Sequence, residues 1–344
     1  ITATTLETVN VSGVKEVNLG KTINSTKLSS VTVSSSDDKA TADNIGSATV
    51  TKLNTVSVTG KLATEAKTVD ALEIGTITVT SSTDNAKLGN VSSAAAVAKI
   101  GNITVSGAKG ATIGTVGNNS DDTLSDISVT ATNGQLVQGA ILAKELGTVT
   151  LTSTAKDIKG ANITANDTSG ITVNYTAKTA IDADGDDSAT ATALVVQNTD
   201  GNITASVAGA TKAAINFTAV KNTASSAIVN LTATNTGGLT STVTNAGTIA
   251  DALTSTITLG NAVTNEKNDV AIKGTVATLN VTGGTGVDNI VLNDAQVKSG
   301  TIALGTGTDS VNFDQIISAT STNDAAGVVI NLGSTAYKID AGTA

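Results

Sequence analysis

An apolar–polar–apolar phrase, mostly Val-Thr-Val or a close relative, returns along the chain every 21 to 28 residues, with one longer gap of 32. Its first apolar residue stands at Val9, Val31, Val56, Ile77, Ile103, Ile127, Val149 and Ile171, and again at Ile203, Val229, Ile257, Leu279, Ile302 and Ile330. A fuller phrase adds an aliphatic residue and a glycine in front: Ile45-Gly46-Ser47-Ala48-Thr49-Val50-Thr51, Ile74-Gly75-Thr76-Ile77-Thr78-Val79-Thr80, Ile100-Gly101-Asn102-Ile103-Thr104-Val105-Ser106 and Leu146-Gly147-Thr148-Val149-Thr150-Leu151-Thr152. Alternation with a period of two predicts strands with aliphatics on one face and Thr or Ser on the other. The leading glycine is expected to take a positive φ and turn a corner. A second short strand is expected within the same repeat, as Val17-Asn18-Leu19 after Val9 and around Ile113 after Ile103.

One short strand per 20-odd residues, repeated end to end, is the sequence form of a stacked β architecture. The expected fold is therefore all-β: an elongated, repetitive parallel β-solenoid, β-helix or β-roll-like, with coils of about 21–28 residues. The rival is a row of tandem Ig-like β-sandwich domains, which would place about seven strands in each roughly 100-residue unit. The near-equal spacing shows no such super-period, which favours the solenoid. Three segments are expected: a regular repeat over 1–172, a looser stretch over 173–250, and a resumed repeat over 251–344 that continues beyond the chain. Asp182-Ala183-Asp184-Gly185-Asp186-Asp187, within the long gap, is expected to protrude as an acidic loop, and the Ala-rich pieces near 92–98 and 177–195 to be loops or decorated strands.

Composition sharpens this picture. Only Tyr175, Tyr337, Phe217 and Phe313 are aromatic among 344 residues, and hydrophobic content of 39% is almost all Val, Ile, Leu and Ala. A thin core between stacked strands suits β-branched aliphatics. Cys, Met, Trp, Pro, His and Arg are absent, so stability rests on packing, backbone ladders or metal. The net charge of −9 argues against nucleic-acid partners, which need a basic face, and favours divalent cations. No run of 18 apolar residues exists to make a membrane-spanning helix. Ile1 is not a start residue, so the chain reads as a fragment or processed product. Without His or Cys, His-based triads, thiol nucleophiles and typical zinc sites are excluded. Four aromatics and no Arg also argue against a sugar-cleaving groove, so no enzyme is expected.

The strongest local motif is Gly283-Gly284-Thr285-Gly286-Val287-Asp288-Asn289-Ile290-Val291. It fits the nonapeptide G-G-x-G-x-D-x-U-x at every defined position. Leu304-Gly305-Thr306-Gly307-Thr308-Asp309-Ser310-Val311-Asn312 misses only the first glycine. Glycines let a turn expose carbonyls, Asp supplies a carboxylate, and Ca²⁺ takes 6–8 such oxygens. Each nonamer makes half a site, and the 21-residue offset between Asp288 and Asp309 lets adjacent coils align them. The same run also suits a plain tight turn between strands. Asp182, Asp184 and Asp186 form a second metal candidate, but Gly185 is misplaced for an EF-hand and no Glu follows at its twelfth position. Asn-x-Thr triplets at Asn102, Asn162, Asn174 and Asn202 are what a chain rich in Asn and Thr produces without selection for glycans.

On these residues the two nonamers resemble the calcium-binding repeats of RTX proteins. The Thr/Val/Ala/Asn/Gly-rich repeats resemble the crystalline surface-layer (S-layer) proteins of Gram-negative bacteria, including the RTX-type S-layer proteins of Campylobacter and Caulobacter. The resemblance implies type I secretion, an extracellular, cell-surface location, calcium-dependent assembly of a two-dimensional lattice of the chain with itself, and attachment to lipopolysaccharide or another surface glycan. It carries a calcium role onto Gly283, Gly284, Gly286, Asp288, Gly305, Gly307 and Asp309. An RTX-type adhesin or biofilm-matrix protein is the alternative with the same body. Two nonamers in place of a long block argue against a large calcium-driven folding switch.

Overall fold

The computed structural model describes residues 4–92, 99–117, 122–184, 192–220, 227–246, 253–260, 266–313, 328–331 and 338–341. Among them there is no helix. The strands pair in parallel, as coils of a β-solenoid, and the parallel pairing excludes antiparallel Ig-like sandwiches. Two compact units divide the chain, Ile1–Ala165 and Asn166–Ala344.

In the first unit each coil contributes one long strand and one or two shorter ones. The long strands stack as Thr8–Gly13, Ser30–Ser35, Leu53–Gly60, Glu73–Ser81, Ile103–Gly107, Ile127–Ala131 and Thr148–Ser153. Their register matches the repeat of the phrase: Val9 lies beside Val31, Val31 beside Val56, Val56 beside Ile77, Ile77 beside Ile103, Ile103 beside Ile127 and Ile127 beside Val149. The expected second strands form too, at Val17–Leu19 and Gly110–Ile113. A third column passes through Ile45, Val69, Val91, Val116, Ile141 and Ile163. Along Glu73–Ser81 the buried residues are Ile74, Ile77, Val79 and Ser81, while Thr76, Thr78 and Thr80 keep solvent contact. Like therefore stacks on like at the inter-strand spacing of roughly 4.8 Å, and each fully buried aliphatic contributes about 1.5–3 kcal/mol.

The leading glycines serve a different purpose from the one the sequence suggests. Positive φ is found at Gly46, at 80°, but Gly75, Gly101 and Gly147 are not among the positive-φ glycines. What they provide is closeness. A Cβ on Gly75 would sit 2.2 Å from the Asn54 carbonyl oxygen, and one on Gly101 2.1 Å from that of Gly75. Ile45-Gly46 also belongs to another column, beside Val69-Asp70, and Ser47–Val50 form no strand.

At the far end of the long strands the column sets each serine against a smaller residue: Gly13 beside Ser35, Gly60 beside Ser81 beside Gly107, and, with Gly107 beside Ala131, Ala131 beside Ser153. Ser35 Oγ donates to the Lys15 carbonyl at 2.7 Å and Ser81 Oγ to that of Leu62 at 2.7 Å, each in the preceding coil. The same hydroxyls accept from the Asp38 and Asp84 amides at 3.1 and 3.0 Å. The buried hydroxyl thus ties the corner of one coil to the coil before it.

The second unit repeats the plan, but its phrase starts do not all keep one register. Ile257 lies beside Leu231 and Val281, and Leu279 beside Ser255. The phrase starts Ile257 and Leu279 are therefore two residues out of step with each other. The inward column runs Val173, Ala205, Leu231, Ile257, Val281, Ile302, Ile330, with coils of 32, 26, 26, 24, 21 and 28 residues. A shift of two keeps every side chain on its face, so hydrophobic alternation alone cannot fix it. Buried Ser255, whose Oγ donates to the Val229 carbonyl at 2.6 Å, breaks the aliphatic phrase and hides the true start.

Tyr175 and Phe217 are fully buried here. Burial pushes the Tyr175 phenol well above its ordinary pKa, and its Oη has no hydrogen-bond partner.

Two outcomes follow for urea denaturation. Gly101→Ala should destabilise by on the order of 1–3 kcal/mol through the clash with Gly75, while Thr104→Ala on the solvent side stays within about 0.5 kcal/mol of wild type. Tyr175→Phe, which removes an unsatisfied hydroxyl and keeps the ring, should raise stability by about 1 kcal/mol, whereas Tyr175→Ala should lower it by roughly 3–5 kcal/mol.

Candidate functional site: the stacked glycine–aspartate turns

The 21 residues between the two nonamers make one coil, so the turns lie directly over each other. Thr285 pairs with Thr306, Asn289 with Ser310 and Ile290 with Val311. The large apolar residue of each nonamer, Ile290 or Val311, is buried in the core. Gly286 donates its amide to the Thr306 carbonyl at 3.0 Å, and Thr306 returns one to Gly284 at 3.0 Å. Gly305 holds a φ of +81°, and a Cβ there would lie 2.1 Å from the Gly284 carbonyl oxygen. At Gly283 a Cβ would meet Asp288 Oδ2 at 2.1 Å, and at Gly307 the Gly286 carbonyl oxygen at 1.6 Å. Each of these glycines is therefore required by the stacking of the turns.

Both aspartates turn inward. Asp288 is 0% exposed and Asp309 1%. Asp288 Oδ1 accepts from Asn268 Nδ2 at 2.7 Å and Oδ2 from the Gly284 amide at 3.2 Å. Asp309 Oδ1 accepts the Asp288 amide at 3.0 Å, and Asp309 Oδ2 is buried without a hydrogen-bond partner. Burial pushes both carboxyls above the usual carboxylate range. For Asp288 the bonds from Asn268 and Gly284 oppose the shift and the neighbouring Asp309 charge adds to it.

Asn268, which the motif does not contain, belongs to the same column. It is buried, accepts the Leu239 amide on Oδ1 at 3.1 Å, and lies beside Asp288 in register. The inward column thus runs Ile181, Ala213, Leu239 and then Asn268, Asp288, Asp309, changing from aliphatic to polar. The signal was present in the sequence as a recurring Asx–polar–aliphatic–x–apolar run in Asn268–Ile272, Asp288–Leu292 and Asp309–Phe313. A second side-chain ladder runs beside it, with Asn289 Nδ2 donating to Asp269 Oδ1 at 2.8 Å and Ser310 Oγ to Asn289 Oδ1.

The donor set can be tested against calcium, a hard cation that takes oxygen ligands. Both Asp288 oxygens are occupied by N–H donors. One carboxylate oxygen, Asp309 Oδ2, is free of any, so the residues fit a cation at Asp309. Among the described residues no three acidic side chains converge, so turn carbonyls would have to complete a coordination shell.

The coil runs further into the acidic segment than the sequence suggests. Asp182 ends the strand Ala180–Asp182 and is buried, so it belongs to the coil and not to a protruding loop. Just beyond the strand, the Ala183 amide donates to the Thr192 carbonyl at 2.8 Å and the Thr192 amide to Asp184 Oδ2 at 3.3 Å. Asp186 and Asp187 lie outside the described residues, as does most of the Ala-rich piece near 92–98.

Charge is distributed unevenly. Ile1–Ala165 carries 13 Lys against 14 Asp and Glu, a net of −1, while Asn166–Ala344 carries 7 against 15, a net of −8. In the first unit the lysines pair with carboxylates one coil away: Lys52–Glu73 at 2.8 Å, Lys67–Asp43 at 2.5 Å, Lys87–Glu65 at 2.9 Å. The hydrogen bond from Lys52 holds the Glu73 carboxyl below its usual range, and the bond to Asp43 holds Lys67 above its own. These pairs are solvent-exposed, and such pairs contribute little stability.

The fold and the turn stack define a class: a parallel β-solenoid with stacked glycine–aspartate turns in its second unit. Compared with known proteins, the chain matches no family model, no curated protein and no solved structure.

Because the folded-state pKa values of Asp288 and Asp309 are raised, ionisation opposes folding. In chelator, the part of the stability that these two groups contribute should be fully present below the unfolded carboxylate pKa of about 4 and be lost as pH rises through the folded values. The Asp288→Asn/Asp309→Asn double variant should flatten this part of the curve, as read by denaturant unfolding at a series of pH values.

Proposed function

We propose that the chain is a structural cell-surface protein, part of a self-assembling, extracellular S-layer lattice subunit stabilised by calcium at the glycine–aspartate turns. The observation that carries the reading is the in-register stacking of like on like within each unit. Such stacking makes a scaffold whose outer faces are regular columns, such as Thr32, Ser57, Thr78, Thr104, Ser128 and Thr150. Uncharged hydroxyl columns remain solvated in the monomer and offer a repeating surface to a second copy. Calcium, when bound, neutralises buried carboxylate charge in the more acidic unit, and the glycines and Asp309 are the residues that would hold it. A lipopolysaccharide or other surface glycan is the proposed anchor. The surface offered to it is a shallow groove of about 430 Å³ floored by Gly89 and Gly114 and rimmed by Glu65, Lys67, Lys87 and Asn90. No catalytic step is proposed.

Electron microscopy of the purified chain tests this reading. Ordered sheets in calcium that disperse in chelator are expected. Dispersed monomers under both conditions would contradict self-assembly and turn the case toward an adhesin.

A further inference from the structure

The nonamer pattern treats its aspartates alike. Their surroundings here are not alike. Asp288 has an N–H donor on each oxygen, one from Asn268 and one from Gly284. Asp309 has one donor, the Asp288 amide, and its second oxygen is buried with none. Each Oδ1 takes a donor from the coil before, so the difference lies at Oδ2, which the Gly284 amide reaches in Asp288 and no donor reaches in Asp309. The column is founded on Asn268. This residue receives the Leu239 amide on its oxygen and gives its own N–H to Asp288, so the column begins with a residue that can both accept and donate. A carboxylate cannot pass a hydrogen bond on, so from Asp288 the column continues through the backbone amide to Asp309.

We propose that Asp288 is a rung of a core hydrogen-bond ladder founded on Asn268, and that Asp309 alone presents an oxygen to a cation. The ladder stands on its own geometry, and the assignment of the cation to Asp309 rests on the calcium reading above. An ionised oxygen buried without a donor is costly and is relieved by a metal ion. Asp288 has no such need, because two N–H groups already satisfy it. The required chemistry at position 288 is a pair of hydrogen-bond acceptors, one for Asn268 and one for Gly284.

The test uses the full chain, with calcium chloride as the probe. Calorimetric titration gives the affinity, and thermal melts in chelator give the stability without metal. Asp288→Asn should keep the affinity within about twofold, whereas Asp309→Asn should lose roughly tenfold or more. Asn268→Leu should lower the melting temperature in chelator, and Asn268→Asp should lower it too by placing two carboxylates face to face. Equal losses of affinity in Asp288→Asn and Asp309→Asn would overturn the division of roles. If wild type takes up no calcium, the calcium reading fails and the cation role of Asp309 fails with it. The ladder is then decided by the melts: Asn268→Leu and Asp288→Leu must both lower the midpoint, and an unchanged midpoint in both would overturn it.

Discussion

The described residues answer to one constraint: successive coils lie a single strand spacing apart, in parallel and in register. At that distance an inward position must hold an aliphatic that rests on its counterpart, as Ile77 rests on Ile103 and Ile103 on Ile127. Where two backbones come closer still, only glycine fits, as at Gly75 and Gly101. Where a corner brings a carbonyl within reach, a small hydroxyl takes the position, as at Ser35 and Ser81. The scarcity of aromatic residues follows, because a wide ring needs more room than a thin core leaves.

The same constraint makes polar residues in the core consequential. A buried polar group in such a stack touches the rung before and the rung after, so it must find partners in both. Ser255 does so through the Val229 carbonyl, and Asn268 through Leu239 and Asp288. Tyr175 and Asp309 do not, each leaving an oxygen without a partner. At Tyr175 the buried ring lies beside Val207 in the next coil. At Asp309 the orphan oxygen is ionisable and lies in a glycine-rich turn, in the unit that carries most of the negative charge, where a cation is drawn electrostatically.

The sequence makes much of the fold legible. Alternation with a period of two places the strands and their inward faces, and the repeat length places the coils, because both are properties of the residues themselves. Register is legible only where the phrase is complete. From Val9 to Val149 the first aliphatic of each phrase finds the next one, but at Ser255 a polar residue takes the first inward position and the pattern slips by two. The role of the leading glycines was hidden for a related reason: a close approach belongs to two coils, and one coil's sequence cannot report it. The nonamers could be read as a motif, and their stacking followed from the 21-residue offset. Asn268 is not legible because no motif includes it. Its place in the column is a matter of register, as is the burial of Asp182 at the edge of an acidic run.

The central claim is parallel, in-register stacking, and the chain suits a direct measurement of it because it has no cysteine of its own. Spin labels attached to cysteines introduced at Thr78 and Thr104, which lie side by side on adjacent coils, should show strong dipolar broadening. Labels at Thr78 and Thr150, three coils apart in the same column, should show far less. Equal spectra for the two pairs, or no broadening for Thr78 with Thr104, would contradict the account.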